Sequence, residues 1–217
     1  MLKPAKEVPH TWWSSEDPME PRPKISTLLI LCAGLWIFGT GDAVLVAAGM
    51  GNTPWTVLAE GISLIMDRSI GQTTFIVSVA VLFLWIPLRE KPGVGTILNA
   101  ILIAAAIEYM LPLLPTPDGT VEALAQIAVG IILVGIGSGI YLTANLGPGP
   151  RDGWMTGIQR ISGVPIGRVR GAIEISVVFI GWILGGTVGL GTVIFAIMIG
   201  PIVAICLNIA GLLGRTD

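Results

Sequence analysis

The sequence predicts an all-α membrane protein: six transmembrane helices in two inverted three-helix repeats, each half with a short interrupted or interfacial helix. Three observations carry this: a lipid-compatible composition, apolar runs of spanning length, and self-similarity at one fixed offset. Of 217 residues, 53% are hydrophobic and 12% charged, against about 25% charged in a typical soluble domain. A chain of this length has no way to hide that much apolar surface from water, so lipid must be its solvent. The net charge of -2 carries no basic excess, and a nucleic-acid partner is not expected.

Residues 1–24 are rich in proline and charge and show no apolar period. They read as a disordered cytoplasmic tail, with Trp12 and Trp13 resting on the membrane interface. The tail is too long and polar, and the run after it too long, for a cleaved signal peptide. Residues 25–115 form the first repeat and 116–217 the second. The spans fall at 25–50, 73–88, 94–114, 123–146, 168–185 and 190–213. Crossing a hydrocarbon core takes about 20 helical residues. Lipid satisfies no backbone hydrogen bonds, so helices are the plausible spans, and these runs lack the alternation of barrel strands. The first run is long enough to require a tilt or a break near Gly39 and Gly41.

Basic residues set the orientation. With the N-terminus inside, Lys3, Lys6, Arg22, Lys24, Arg89, Lys91, Arg151, Arg160, Arg168, Arg170 and Arg215 face the cytoplasm, and only Arg68 faces out. That bias places the protein in the cell membrane as a multi-pass chain with both termini cytoplasmic.

The repeat is the sharper signal. At an offset of 96 positions, Gly34, Gly39, Gly41, Gly51, Gly61, Gly71, Gly93 and Gly95 coincide with Gly130, Gly135, Gly137, Gly147, Gly157, Gly167, Gly189 and Gly191. Three spans per half is an odd number, so the second half enters the membrane from the opposite side. Small residues let helix backbones approach in lipid, where apolar burial alone drives no association.

Two polar stretches occupy equivalent places: G-N-T-P-W-T-V-L-A-E-G from Gly51 to Gly61, and G-P-G-P-R-D-G-W-M-T-G from Gly147 to Gly157. Pro54 and Pro150 each suit the first turn of a short helix, where a missing N–H costs nothing. Such helices are either re-entrant, their N-termini aimed at an anionic group, or interfacial, anchored by Trp55 and Trp154. The candidate solute-binding residues are Asp42, Asn52, Pro54, Trp55, Pro150, Arg151, Asp152, Gly153 and Trp154. Arg151 suits a carboxylate or phosphate, and Asp152 either orients it or caps the helix. Asp42 is an intramembrane carboxylate, a costly residue that usually marks function. Arg170 and Glu174, spaced i and i+4, form a candidate intramembrane ion pair. Glu60 is expected outside or at the interface, and Glu108 at the outer end of the third span, reaching the interface.

No hydrolase, metal or nucleotide motif is present. His10, the single histidine, lies in the tail. Cys32 and Cys206 lie in apolar runs and read as packing residues. An enzyme is therefore not expected, nor a cofactor or metal.

Gly51-Asn52-Thr53-Pro54-Trp55 and Gly147-Pro148-Gly149-Pro150-Arg151-Asp152-Gly153-Trp154-Met155-Thr156-Gly157, with Gly93-Val94-Gly95-Thr96 and the stretch from Gly185 to Thr192, resemble the YczE/YyaS/YitT type of bacterial integral membrane protein. The likeness is nearest to the YczE-like branch and covers residues 25–213. It implies a multi-pass protein of the bacterial cytoplasmic membrane and imports no mechanism. The first half of such proteins often reads P-W-D, and Thr56 stands here in place of that aspartate, which argues against a symmetric pair of carboxylates.

Two functions are compatible with these residues. One is a small secondary transporter or permease for an unknown small solute, bound between the short helices. The other is a non-transporting accessory or scaffold that docks a protein partner. The bilayer is the certain neighbour, and six helices enclose so little volume that a homodimer is a reasonable expectation.

Overall fold

A computed structural model describes residues 8–214. Every regular element among them is helical: α1 (Ile25–Ala47), α2 (Pro54–Met66), α3 (Ile70–Phe83), α4 (Trp85–Leu88), α5 (Val94–Met110, extended by the 3-10 turn Leu111–Leu113), α6 (Thr120–Thr143), α7 (Pro150–Ser162), α8 (Ile166–Ile183) and α9 (Leu190–Leu213). Five stretches are long and apolar enough to cross a membrane: α1, Ile70–Leu88, Val94–Leu113, α6 and α9. The expected six spans become five by this measure. Helix α8 has 18 residues but carries Arg168, Arg170 and Glu174. Helices α2 and α7, at 13 residues each, are roughly 20 Å long and too short to span.

The local sequence explains the ends of these helices. Pro54 and Pro150 open α2 and α7 in the first turn, as proline's fixed φ favours. Left-handed residues close both, Asp67 at φ 52° and Gly163 at φ 68°. The Ser69 hydroxyl caps α3 by accepting the Gln72 N–H at 3.2 Å. Thr96 and Thr192 accept the N–H groups of Gly93 and Gly189 at 3.1 and 3.3 Å, fastening the first turns of α5 and α9. Helix α1 runs unbroken through Gly39 and Gly41 and stops at Ala47, so of the two expected accommodations the break does not occur.

The offset of 96 positions reappears in space. Helices α2, α3 and α5 begin at Pro54, Ile70 and Val94, and α7, α8 and α9 at Pro150, Ile166 and Leu190. The Gly95 N–H donates to the Leu146 carbonyl at 2.7 Å, and the Gly191 N–H to the Met50 carbonyl at 2.8 Å. These two bonds are the same bond with the halves exchanged.

The central contact is α1 against α6, and glycines make it possible. A Cβ on Gly41 would lie 2.7 Å from the Val134 nitrogen and 2.8 Å from the Gly130 oxygen. One on Gly137 would lie 2.5 Å from the Phe38 nitrogen and 2.6 Å from the Gly34 oxygen. Gly34 and Gly130, Gly41 and Gly137 are repeat partners, so one backbone crossing is built twice. Outside this pair, α5 packs on α1 and α9 on α6. Gly39 faces Ala106 of α5, and its partner Gly135 faces Ile202 of α9.

The short helices cross over to the other half. Helix α2 packs on α8, while α7 packs on α3 and α4. Gly181 of α8 admits the backbone of Val57 and Leu58, with a Cβ there 2.6 Å from Leu58. At the equivalent contact the sizes are reversed: Gly153 of α7 receives the ring of Trp85. That ring is 2% exposed and donates its Nε1–H to the Pro150 carbonyl at 2.9 Å.

The expected disorder of the tail does not hold over residues 8–24. Trp13 is buried and donates its Nε1–H to the Thr143 hydroxyl at 3.0 Å. The Ser14 hydroxyl donates to the Thr143 carbonyl at 2.5 Å, and Asn145 to the Ser15 carbonyl at 2.8 Å. The Ser14 bond, with that of the Ser15 N–H to the Ala144 carbonyl at 2.9 Å, satisfies carbonyls at the C-terminal end of α6. Only Trp12 of the two tryptophans is exposed. Its N–H donates to the Gly214 carbonyl at 2.9 Å, so the two ends of the described chain meet at the ends of α6 and α9. Residues 1–7, with Lys3 and Lys6, and 215–217, with Arg215, lie outside the described residues.

Candidate functional site

The N-termini of α2 and α7 converge on a cavity of about 310 Å³. Each is aimed by the same construction. A left-handed glycine, Gly51 at φ 112° or Gly147 at φ 100°, turns the chain sharply. That glycine packs against the start of the other half's last helix: Gly51 against Gly189 and Thr192, Gly147 against Gly93 and Thr96. Only glycine adopts such a φ without strain. The proline that follows then starts the helix pointing inward.

The lining reflects the repeat. Phe38 and Val134, Asp42 and Ser138, Thr53 and Gly149, Trp55 and Arg151, Asn99 and Phe195, Ile103 and Ile199 all face the cavity. Each pair stands 96 positions apart. The backbone is thus repeated around the cavity while the charges are not. Asp42 is the acid of the first half, and Arg151, Asp152, Arg170 and Glu174 come from the second.

Asp42 is 1% exposed. Neither of its carboxylate oxygens has a hydrogen-bond partner among the described residues. A buried polar group in that condition costs more than one that is bonded. Its helix position is held by Gly41 at the α1–α6 crossing. Arg151 extends from the first turn of α7, its guanidinium carbon 5.3 Å from the centroid of the Trp55 ring. Trp55 is in turn braced edge-on by Trp154, with centroids 6.1 Å apart. Arg151 belongs to neither of the two ion pairs among the described residues, Arg160–Glu90 and Arg170–Glu174.

The other charged groups of the lining are hydrogen-bonded or paired. Tyr141 donates its hydroxyl to Asp152 Oδ2 at 3.0 Å. Arg170 Nε donates to Glu174 Oε1 at 2.8 Å, one helical turn apart. The Thr53 and Thr56 hydroxyls bond each other at 2.8 Å, so the threonine at the aspartate position of P-W-D serves the first turn of α2.

Of the candidate solute-binding residues, Asp42, Pro54, Trp55, Arg151 and Asp152 line the cavity together with the Arg170–Glu174 pair. Asn52, Pro150, Gly153 and Trp154 do not. Asn52 donates to Glu60 Oε2 at 2.8 Å. Glu60 also accepts the N–H and the hydroxyl of Thr187 at 2.6 and 2.8 Å. This cluster ties α2 to the α8–α9 loop. Glu108 likewise accepts the Ser69 hydroxyl. Pro150 and Gly153 hold Trp85, and Trp154 supports Trp55. Sequence reasoning missed Tyr141 and Asn99. Both are isolated polar groups inside apolar runs, the signal that singled out Asp42.

A second recess of about 380 Å³ opens between α8 and α9. It is walled by Ile175, Phe179 and Trp182 on one side and Thr192 and Ala196 on the other. Pro54 and Glu174 line both spaces, so the apolar groove adjoins the polar cavity.

The family of unknown function DUF6198 matches residues 25–208. An "Uncharacterized protein" of Haemophilus influenzae is 42% identical over 209 residues, covering 96% of this chain and 95% of the relative. The "Uncharacterized membrane protein YczE" of Bacillus subtilis is 30% identical over 172 residues, 78% of this chain and 80% of its own. The "Uncharacterized protein YyaS" of the same organism is 24% identical over 165 residues, 74% of this chain and 82% of its own. No solved structure matches the chain.

Proposed function

The chain belongs to the YczE-like membrane proteins of the DUF6198 family, and from this premise we propose that it is a small secondary transporter that binds a polar solute between the N-termini of α2 and α7. The observation that carries the proposal is the lining of the cavity: equivalent residues of the two halves facing one space, with an unpartnered buried carboxylate among them. Discontinuous helices at matching places in inverted halves are the usual pointer to a transport site.

The proposal takes α8 as a sixth span and the halves as inverted. Three features support this. Helix α8 begins 96 positions after α3, its ion pair neutralises Arg170 and Glu174, and its outer face presents Ile175, Phe179 and Trp182. The meeting of Trp12 with Gly214 fits an even number of crossings, and the basic-residue bias favours a cytoplasmic place for that end. Glu174 in lipid is tolerable because its partner lies within the same helix.

The halves also differ in a way that fits alternating access. Helix α3 packs along α5, with Gly71 against Ala104 and Glu108. Its counterpart α8 keeps to α2 and α7, leaving the groove beside α9 open. Two halves of one construction in unlike states would exchange those states during a transport cycle.

Single cysteines at Asp42, Thr53, Arg151 and Asp152, with Cys32 and Cys206 replaced, test the proposal in intact cells. Water-soluble thiol reagents applied from either face should label positions 42 and 152 from both sides. Labelling of 151 and 152 from the cytoplasm only, 53 from outside only, and 42 from neither side would make the short helices interfacial and end the transport reading.

A further inference from the structure

We infer that the cavity takes a zwitterion of amino-acid size with an uncharged, apolar body, its anionic end at Arg151 and its cationic end at Asp42. The inference rests on the transport reading of this cavity and names the chemistry of its ligand.

Not every charged group of the lining has a protein partner. Asp152 is engaged by Tyr141, and Arg170 and Glu174 are engaged with each other. Asp42, without a hydrogen bond, and Arg151, without an ion pair, face the same space among the described residues. Each feels the other's charge, yet they form no ion pair among the described residues. Opposite charges in a poorly screened site collapse onto each other unless the scaffold holds them apart. Here it does. Asp42 is fixed on α1 beside the glycine crossing, and Arg151 is fixed over Trp55. A simple anion would satisfy Arg151 and leave Asp42 unpaired and buried. A simple cation would do the reverse. A zwitterion satisfies both, and adds the N-terminal N–H groups of α7 to the donors for its anionic end.

The walls supply the rest of the specificity. Phe38, Ile103, Met155, Phe195 and Ile199 make much of the remaining wall apolar, and the other charged lining groups, Asp152, Arg170 and Glu174, already have protein partners. A space of about 310 Å³ sits at the lower end of the range for small-molecule sites, which starts near ~300 Å³.

The test uses detergent-purified full-length protein and thermal unfolding. The probes are leucine, isoleucine, valine and methionine at millimolar concentration. Each is compared with its deaminated carboxylate and its decarboxylated amine. At least one amino acid should raise the unfolding temperature, with neither half-molecule matching it. In Asp42→Asn the amino acid should lose about tenfold or more in affinity and fall to the level of its carboxylate, and in Arg151→Gln to that of its amine. No shift with any of the four amino acids, or an equal shift with a half-molecule, overturns the inference. Two-sided labelling of positions 42 and 152 without an amino-acid shift removes the zwitterion and leaves the transport reading in place. One-sided labelling with an amino-acid shift keeps the ligand and removes transport.

Discussion

Gly41→Leu is expected to prevent accumulation of folded protein in the membrane. The Cβ alone would sit 2.7 Å from the Val134 nitrogen and 2.8 Å from the Gly130 oxygen. Both are backbone atoms of α6, and moving them means moving the helix. Overpacking a core commonly costs about 1–3 kcal/mol, where neighbours relax by rotamer changes. Here the neighbour is a helix axis, and the expected loss is about 3 kcal/mol or more, a large share of the ~5–15 kcal/mol that holds a typical fold together. Gly137→Leu should behave alike, because it meets Phe38 and Gly34 in the equivalent contact. Gly167→Leu is the control, since nothing lies within 4 Å of a Cβ there. Size-exclusion profiles and thermal unfolding in detergent separate the cases. Near-normal folding of Gly41→Leu would mean that the α1–α6 crossing is looser than its geometry states.

Asp42→Asn is expected to raise stability while abolishing function. The carboxylate has no hydrogen-bond partner among the described residues, and Arg151 does not reach it as an ion pair. Replacing a buried charge by a neutral isostere removes most of its desolvation cost. Arg151 retains Asp152 as a counter-charge and Trp55 as a platform. The expected gain is about 1–3 kcal/mol, read as a higher unfolding temperature, together with loss of solute binding. Stability conceded at a site in this way is what functional residues usually show. A lower unfolding temperature would instead make Asp42 a structural partner, and the cavity would lose its central group.

Much of the framework was readable before any coordinates. The starts of α2 and α7 at Pro54 and Pro150 follow from local chemistry, and the glycine register marked positions where helix backbones can approach. The matching positions of the two short helices marked them as a pair and left open whether they turn inward or lie on the interface. What could not be read depends on contacts between distant segments. The tail has no apolar period, so it looked disordered, yet Trp13, Ser14 and Ser15 dock on the end of α6 across about 130 residues of chain. Asn52 looked like a site residue because it sits in the short-helix motif. Its partner Glu60 is bound by Thr187, 127 positions away, and only the fold brings them together. Trp154 and Gly153 lie in the most loaded motif but face away from the cavity, since a helix shows only one side to its ligand. Tyr141 was overlooked because an aromatic in an apolar run usually only packs, and its hydroxyl gains meaning only beside Asp152.

Transport by this protein requires that the two halves of one construction exchange states around the cavity. Distance measurement between spin labels in lipid bilayers addresses it directly, using Phe179 with Ile197 across the α8–α9 groove and their repeat counterparts Phe83 with Ile101 across α3 and α5. All four side chains are exposed. Each pair should give two resolved distances, and any condition that depletes the long distance in one pair should enrich it in the other. A single distance for each pair under every condition, long for 179–197 and short for 83–101, would make the groove a fixed feature and contradict alternating access.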